Sequence, residues 1–157
     1  MCKQLDNIQS LIDNLNVEDL LNDFIPYKKF RYYKDRTTKK IWPEGNDKTK
    51  ARHKHGVYSK EIDNFSGIKY FGKGEQSTIA DRIASHKTNF HTNNGNESSG
   101  NKILDFINDN NLEYVDIMIK YLDLTKYSKD MIPMIERKLI DAKNPQFNRE
   151  STIWKNH

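Results

Sequence analysis

Two short runs of alternating residues, 56–62 and 68–72, are separated by Asp63-Asn64-Phe65-Ser66-Gly67. A period of two places successive side chains on opposite faces of a strand, and Asp, Asn, Ser and Gly supply turn chemistry between strands. The stretch therefore predicts a β-hairpin. A third run, 113–122, sets Val115, Ile117, Ile119 and Tyr121 against Asp116 and Lys120, which predicts a third strand with one face buried. These runs set out a hairpin and a third strand, to be combined with helices in an α+β chain.

The remaining apolar residues fall at helical spacing. Leu5, Ile8, Leu11, Ile12 and Leu15 predict an amphipathic helix over 4–15. Asn16, with Asp19 three residues on, is an N-cap for a second short helix holding Leu20, Leu21 and Phe24, which Pro26 should end. These residues form an expected N-terminal helical extension, 1–26. Ser77 is placed to cap a helix over 78–88, and Ile103, Leu104, Phe106 and Ile107 predict another. A last helix starts near Asp130, because Pro133 fits only in a first turn; it carries Ile132, Ile135, Leu139 and Ile140. With 157 residues and 35% apolar content, one domain with a modest core is expected. No run approaches the roughly 18 apolar residues of a membrane span. The N-terminus is acidic and amphipathic, unlike a secretory leader. Cys2 is the sole cysteine, which rules out a disulfide framework or a cysteine zinc site and makes a cytoplasmic setting the expectation.

Charge is unevenly spread. Residues 27–54 hold eleven Lys/Arg and three Asp/Glu, a local +8, although the whole chain carries only +4. Tyr27, Phe30, Tyr32, Tyr33 and Trp42 are interleaved with these cations. Cations with aromatic platforms suit a phosphate backbone, which makes 27–54 an expected DNA-contacting arm; equally, the aromatics can anchor this segment on the core. His53 and His55 sit in the same run, where alternate histidines suit phosphate better than a metal.

Each predicted strand of the hairpin pairs a tyrosine with a glycine: Gly56-Val57-Tyr58 and Tyr70-Phe71-Gly72. On the following helix Arg82 and His86, four residues apart, share a face at the edge of the apolar stripe formed by Ile79 and Ile83. On the last helix Glu136 lies four residues from both Ile132 and Ile140, so a carboxylate interrupts an apolar stripe. A buried carboxylate must meet a cation, a metal or a wet cleft. Asn148 follows in Asn144-Pro145-Gln146-Phe147-Asn148, and Lys73 stands just beyond the second glycine motif.

In this order, over residues 55–150, these elements resemble the GIY-YIG nuclease superfamily, with Val57 and Phe71 standing where the family pattern has isoleucine. The resemblance implies an α+β fold with a small three-stranded antiparallel sheet flanked by helices, and a metal-dependent endonuclease that hydrolyses phosphodiester bonds, usually in DNA. It implies that Tyr58 activates the attacking water and Tyr70 orients it or shares the role. Arg82 and His86 would bind the scissile phosphate, with Lys73 as a further cation. Glu136 would hold one Mg²⁺ or Mn²⁺, and Asn148 would contact substrate or brace the site. One carboxylate suffices for Mg²⁺, which keeps most of its water. A bare catalytic domain with a short extension most resembles a free-standing type II restriction endonuclease. Such an enzyme would act on double-stranded DNA as a homodimer, because one site per chain must cut two strands. A low-specificity phage or mobile-element nuclease and a non-catalytic nucleic-acid-binding protein are the alternatives. Residues 151–157 are expected to form a tail outside the domain.

Overall fold

The computed structural model describes residues 2–35, 37–41, 53–75, 77–83 and 99–148. Helix α1 (Cys2–Asp13) and helix α2 (Val17–Asn22) open the chain. Asn16 caps α2 as its sequence predicts: its side-chain oxygen accepts from the Asp19 N–H at 3.0 Å. The helix stops at Asn22, well before Pro26, which instead becomes the second residue of strand β1 (Ile25–Tyr33). Strand β2 (Thr38–Ile41) follows, then the hairpin β3 (Gly56–Ile62) and β4 (Ile68–Gly74), helix α3 (Ser99–Asp109), strand β5 (Tyr114–Asp123), helix α4 (Met131–Lys143) and a 3₁₀ turn, Gln146–Asn148. Pro133 sits in the first turn of α4, where its missing N–H costs nothing.

The sheet has five strands rather than three, in the order β2-β1-β5-β3-β4, with every neighbouring pair antiparallel. The two extra strands come from the basic aromatic segment. Its alternation was obscured by a bulge between Pro26 and Lys28, which shifts the phase of the inward residues to Tyr27, Phe30 and Tyr32. All three rings are buried in the core. Several of its cations also have partners on the sheet. Arg31 makes a bidentate pair with Asp116, at 2.8 and 3.0 Å, and its guanidinium lies 4.1 Å from the centre of the Tyr114 ring. Lys29 pairs with Asp63. Trp42 and residues 42–52 lie outside the described residues.

Each face of the sheet has its own core. On one face Tyr58, Ile62, Ile117, Ile119 and Tyr121 join Phe30, Tyr32, Ile79, Ile83 and the inner residues of α3, Ile103, Phe106 and Ile107. On the other, Val57, Phe71 and Leu122 meet Ile12 of α1, Leu20 of α2 and Ile132, Ile135 and Leu139 of α4. Strand β4 is an edge strand, and groups carried on opposite faces come together beyond it.

Candidate active site

The register of the hairpin sets the two tyrosines side by side. Tyr58 lies opposite Gly72 and Lys60 lies opposite Tyr70, so Tyr58, Lys60, Tyr70 and Gly72 share one face. The rings of Tyr58 and Tyr70 are 6.0 Å apart, centre to centre. The two motif glycines have definite physical causes. A Cβ on Gly72 would stand 2.3 Å from the Tyr58 ring and 2.4 Å from its hydroxyl, so only glycine lets the phenol cross β4 toward the sheet edge. Gly56 has φ +156°, and a Cβ there would stand 2.0 Å from the Leu122 carbonyl oxygen of β5.

The Tyr58 and Tyr70 hydroxyls share a hydrogen bond. Burial pushes the Tyr58 hydroxyl well above its ordinary range; the neighbouring Tyr70 adds to this, while Arg82 opposes it. Tyr70 is pushed up to about 12, chiefly by burial and then by the negative charge of Glu136, with Arg82 again opposing. The pair is thus held protonated in the free protein, and added positive charge is what would release a proton.

Arg82 comes from the segment after β4. Thr78, rather than Ser77, caps this segment: its hydroxyl accepts from the Asp81 N–H at 3.2 Å, and helical backbone begins at Ile79. The Ile79 N–H donates to the Lys54 carbonyl at 2.9 Å, which ties the start of the helix to the chain entering β3. Ile79 and Ile83 point into the core and leave Arg82 exposed beside the tyrosines. His86 lies outside the described residues.

Glu136 arrives from the other face on α4. It is mostly buried, and burial raises its carboxyl above the ordinary value; Lys73 and Arg82 oppose that rise, while Glu75 adds to it. Among the described residues it forms no ion pair: Arg137, its neighbour, pairs with Asp141 at 3.2 Å. Lys73, Glu75, Ser77 and Arg82 line a cleft of about 380 Å³ next to this carboxylate. Lys73 leans on Glu75 at 3.4 Å. Tyr58, Tyr70, Lys73, Arg82 and Glu136, spread over 79 residues of sequence, therefore converge electrostatically on one edge of the sheet.

Asn148 braces this edge. Its side-chain oxygen accepts from the Phe71 N–H at 2.7 Å, and its side-chain N–H donates to the Phe71 carbonyl at 2.9 Å. It thus stands in for a sixth strand at the residue between Tyr70 and Gly72.

Two site groups escaped the sequence reading. Glu75 follows the hairpin and carries no periodic signal. Lys60 did carry one: it occupies an inward phase of β3, two residues from Tyr58, where an apolar residue belongs. It is 2% exposed, with its ammonium 5.2 Å from the centre of the Tyr70 ring.

A divalent metal fits the donor chemistry here. Glu136 offers a hard oxygen ligand whose charge is poorly solvated, and Glu75 is a second carboxylate close enough to disfavour its ionisation. Among the described residues no group of three or more His, Cys, Asp or Glu gathers to hold a metal, so any ion would rest mainly on Glu136, water and substrate oxygens. No helix among the described residues is long and apolar enough to cross a membrane. No protein-family model matches the chain, and neither the curated proteins nor the solved structures contain a match.

Proposed function

We propose that this chain is a metal-dependent DNA endonuclease of the GIY-YIG kind, acting as a homodimer on a short duplex site. The observation that carries this reading is the convergence of a hydrogen-bonded tyrosine pair, two cations and a half-buried carboxylate at one open edge of a sheet. Phosphodiester hydrolysis needs an activated water, charge relief on the non-bridging oxygens and a stabilised leaving oxygen. Tyr58, whose hydroxyl end overlies Gly72, activates the water, and Tyr70, which shares a hydrogen bond with it, orients it. Arg82 and Lys73 bind the phosphate; His86 joins them on the same helix in the sequence pattern. Glu136 seats Mg²⁺ or Mn²⁺, and the metal, when bound, supplies the remaining charge relief. Asn148 keeps the β4 edge in register. The net positive segment 27–54 contributes contacts to the DNA backbone through those cations that the sheet does not pair.

Incubation of the protein with unmodified plasmid and phage DNA tests the reading, in Mg²⁺ and in chelator, beside Glu136→Gln. Discrete Mg²⁺-dependent fragments, absent in the variant, are expected. A smear would replace the site-specific enzyme with a low-specificity nuclease. A salt-sensitive gel shift without cleavage would leave a binding protein. Sedimentation on the cleaved duplex is expected to find two chains per site, and a monomer there would remove the dimer.

A further inference from the structure

Burying a lysine is costly, because its ammonium leaves water for a medium that solvates it poorly. An apolar side chain of similar volume in the same place would as a rule be no less stable. Yet Lys60 is 2% exposed on a strand whose flanking inward positions, Tyr58 and Ile62, are core residues. Its location is specific. It faces Tyr70 across the hairpin, with its nitrogen 5.2 Å from the ring centre, and it follows Tyr58 on the same face of β3. Strand β5 places Ile119 opposite it, and Arg82, from the segment after β4, acts on it as a like charge. Glu136 on α4 acts on the two tyrosines from beyond the edge. The lysine therefore adjoins the hydrogen-bonded phenols, its nitrogen over the Tyr70 ring.

We propose that Lys60 is a positioning residue of this site, whose amine shares a proton with the Tyr58–Tyr70 pair, so that a phenolate forms opposite a lysine ammonium rather than by losing its proton to solvent. This rests on the nuclease reading for its catalytic meaning, but the shared proton is a property of the folded protein alone. The balance is simple. With both tyrosines and the lysine protonated the site holds three protons. Loss of one gives a form in which the amine is neutral or a phenol is ionised; these two microstates differ only in where the remaining protons sit. The first is the resting arrangement. The second is reached by moving a proton from a phenol to the amine, with no proton lost or gained, and added positive charge at the sheet edge would favour it. Burial, and then Arg82, pull the Lys60 amine down to about 7, so the one-proton-down form is reached at neutral pH, which the tyrosines alone would not allow.

Two measurements test this. In the first, lysine side-chain nitrogens are followed by NMR on ¹⁵N-labelled protein between pH 5 and 10. One signal is expected to titrate near 7, to vanish in Lys60→Met, and to shift its midpoint in Tyr70→Phe. If every lysine titrates near its ordinary value, or if the midpoint ignores Tyr70→Phe, the shared proton is refuted whatever the protein cleaves. In the second, the pH–rate profile of Mg²⁺-dependent DNA cleavage is recorded for wild type and Lys60→Met, with melting curves to confirm that the variant folds. Wild type is expected to rise through about pH 7 to a plateau. The variant is expected to lose ten-fold or more at pH 7.5 and to keep rising with pH, because only a phenol remains to give up the proton. A folded Lys60→Met with the wild-type rate and profile would overturn the role. Should wild type cleave nothing, the nuclease reading falls, and the NMR titration still decides whether Lys60 and the tyrosines share a proton.

Discussion

The Tyr58 ring depends on an atom that is missing. Gly72 and Gly56 are both closed to a side chain, but they meet different neighbours: Gly72 faces the phenol of Tyr58, and Gly56 faces the backbone of β5. A phenol can swing aside, whereas a carbonyl in a sheet moves only if two strands part. Gly72→Ala is therefore expected to cost about 1–3 kcal/mol of stability but to lower cleavage by a factor of about 100 or more, since a misplaced reacting group loses orientation. Gly56→Ala is expected to lose more stability, with activity following the folded fraction. Melting curves and single-turnover rates on the same samples separate the two cases. Glu136 makes the converse prediction. Burial disfavours its charge, and Lys73 and Arg82 offset this only in part, so its carboxyl ionises above the ordinary value. A carboxyl raised in the fold makes the folded state weaker once pH exceeds the unfolded value, because the fold then holds the charge less well than water does. Glu136→Gln is thus expected to abolish cleavage while melting no lower than wild type at pH 7, and equally or less favourably near pH 4. A fall in melting temperature at neutral pH would show that the carboxylate is structural.

Strand β4 carries two site residues on the edge of the sheet, a place where pairing normally frays. Asn148 supplies the outer pairing at Phe71 through two hydrogen bonds, one donated and one accepted. Asn148→Ala is expected to cost about 1–3 kcal/mol and to speed hydrogen exchange at the Phe71 amide, while Asn148→Asp keeps the acceptor and leaves the Phe71 carbonyl unpaired. Exchange unchanged in both variants would show that the 3₁₀ turn is not what holds the edge. The elements around the site were readable because their signals are local: alternation for β3, β4 and β5, the Asn16 cap for α2, Pro133 for the start of α4. The first two strands were not. Tyr27, Phe30 and Tyr32 are spaced three and then two apart by a bulge, and the cations between them mask the inward face. What places β1 in the sheet is the long-range pairing of Arg31 with Asp116 and of Phe30 with Ile117, and no window of sequence contains both partners. The site itself divides in the same way. Its polar residues stood out as interruptions of apolar patterns, whereas Asn148's bond to Phe71 spans 77 residues and was visible only as one of two possible roles.

At the scale of the whole molecule, Lys60 should leave a signature in the pH dependence of stability. In the fold its amine ionises near 7, against 10.5 for an ordinary lysine. Between these values the unfolded chain binds the proton that the folded chain has released, so stability rises with pH across this window. Below about pH 7 both states are protonated and the full cost of burying the ammonium remains. The buried tyrosines act in the opposite sense and at higher pH. Tyr32, Tyr58 and Tyr70 are all raised above 10, chiefly by burial, so they weaken the fold only once the unfolded phenols begin to ionise. Asp35 and Asp123 are lowered, so their contribution is present above the unfolded carboxylate range and is lost on going acid. The window from 7 to 10 thus belongs mainly to Lys60, and a difference measurement isolates it. Chemical denaturation of wild type and Lys60→Met at pH 6, 7, 8 and 9 is expected to find the variant more stable at pH 6, by a few kcal/mol at most, with the gap narrowing steadily as pH rises. A constant gap would mean that the lysine keeps its proton in the fold, held by a charge partner. It would then be an ordinary buried cation, and the tyrosine pair would have to find its proton acceptor elsewhere.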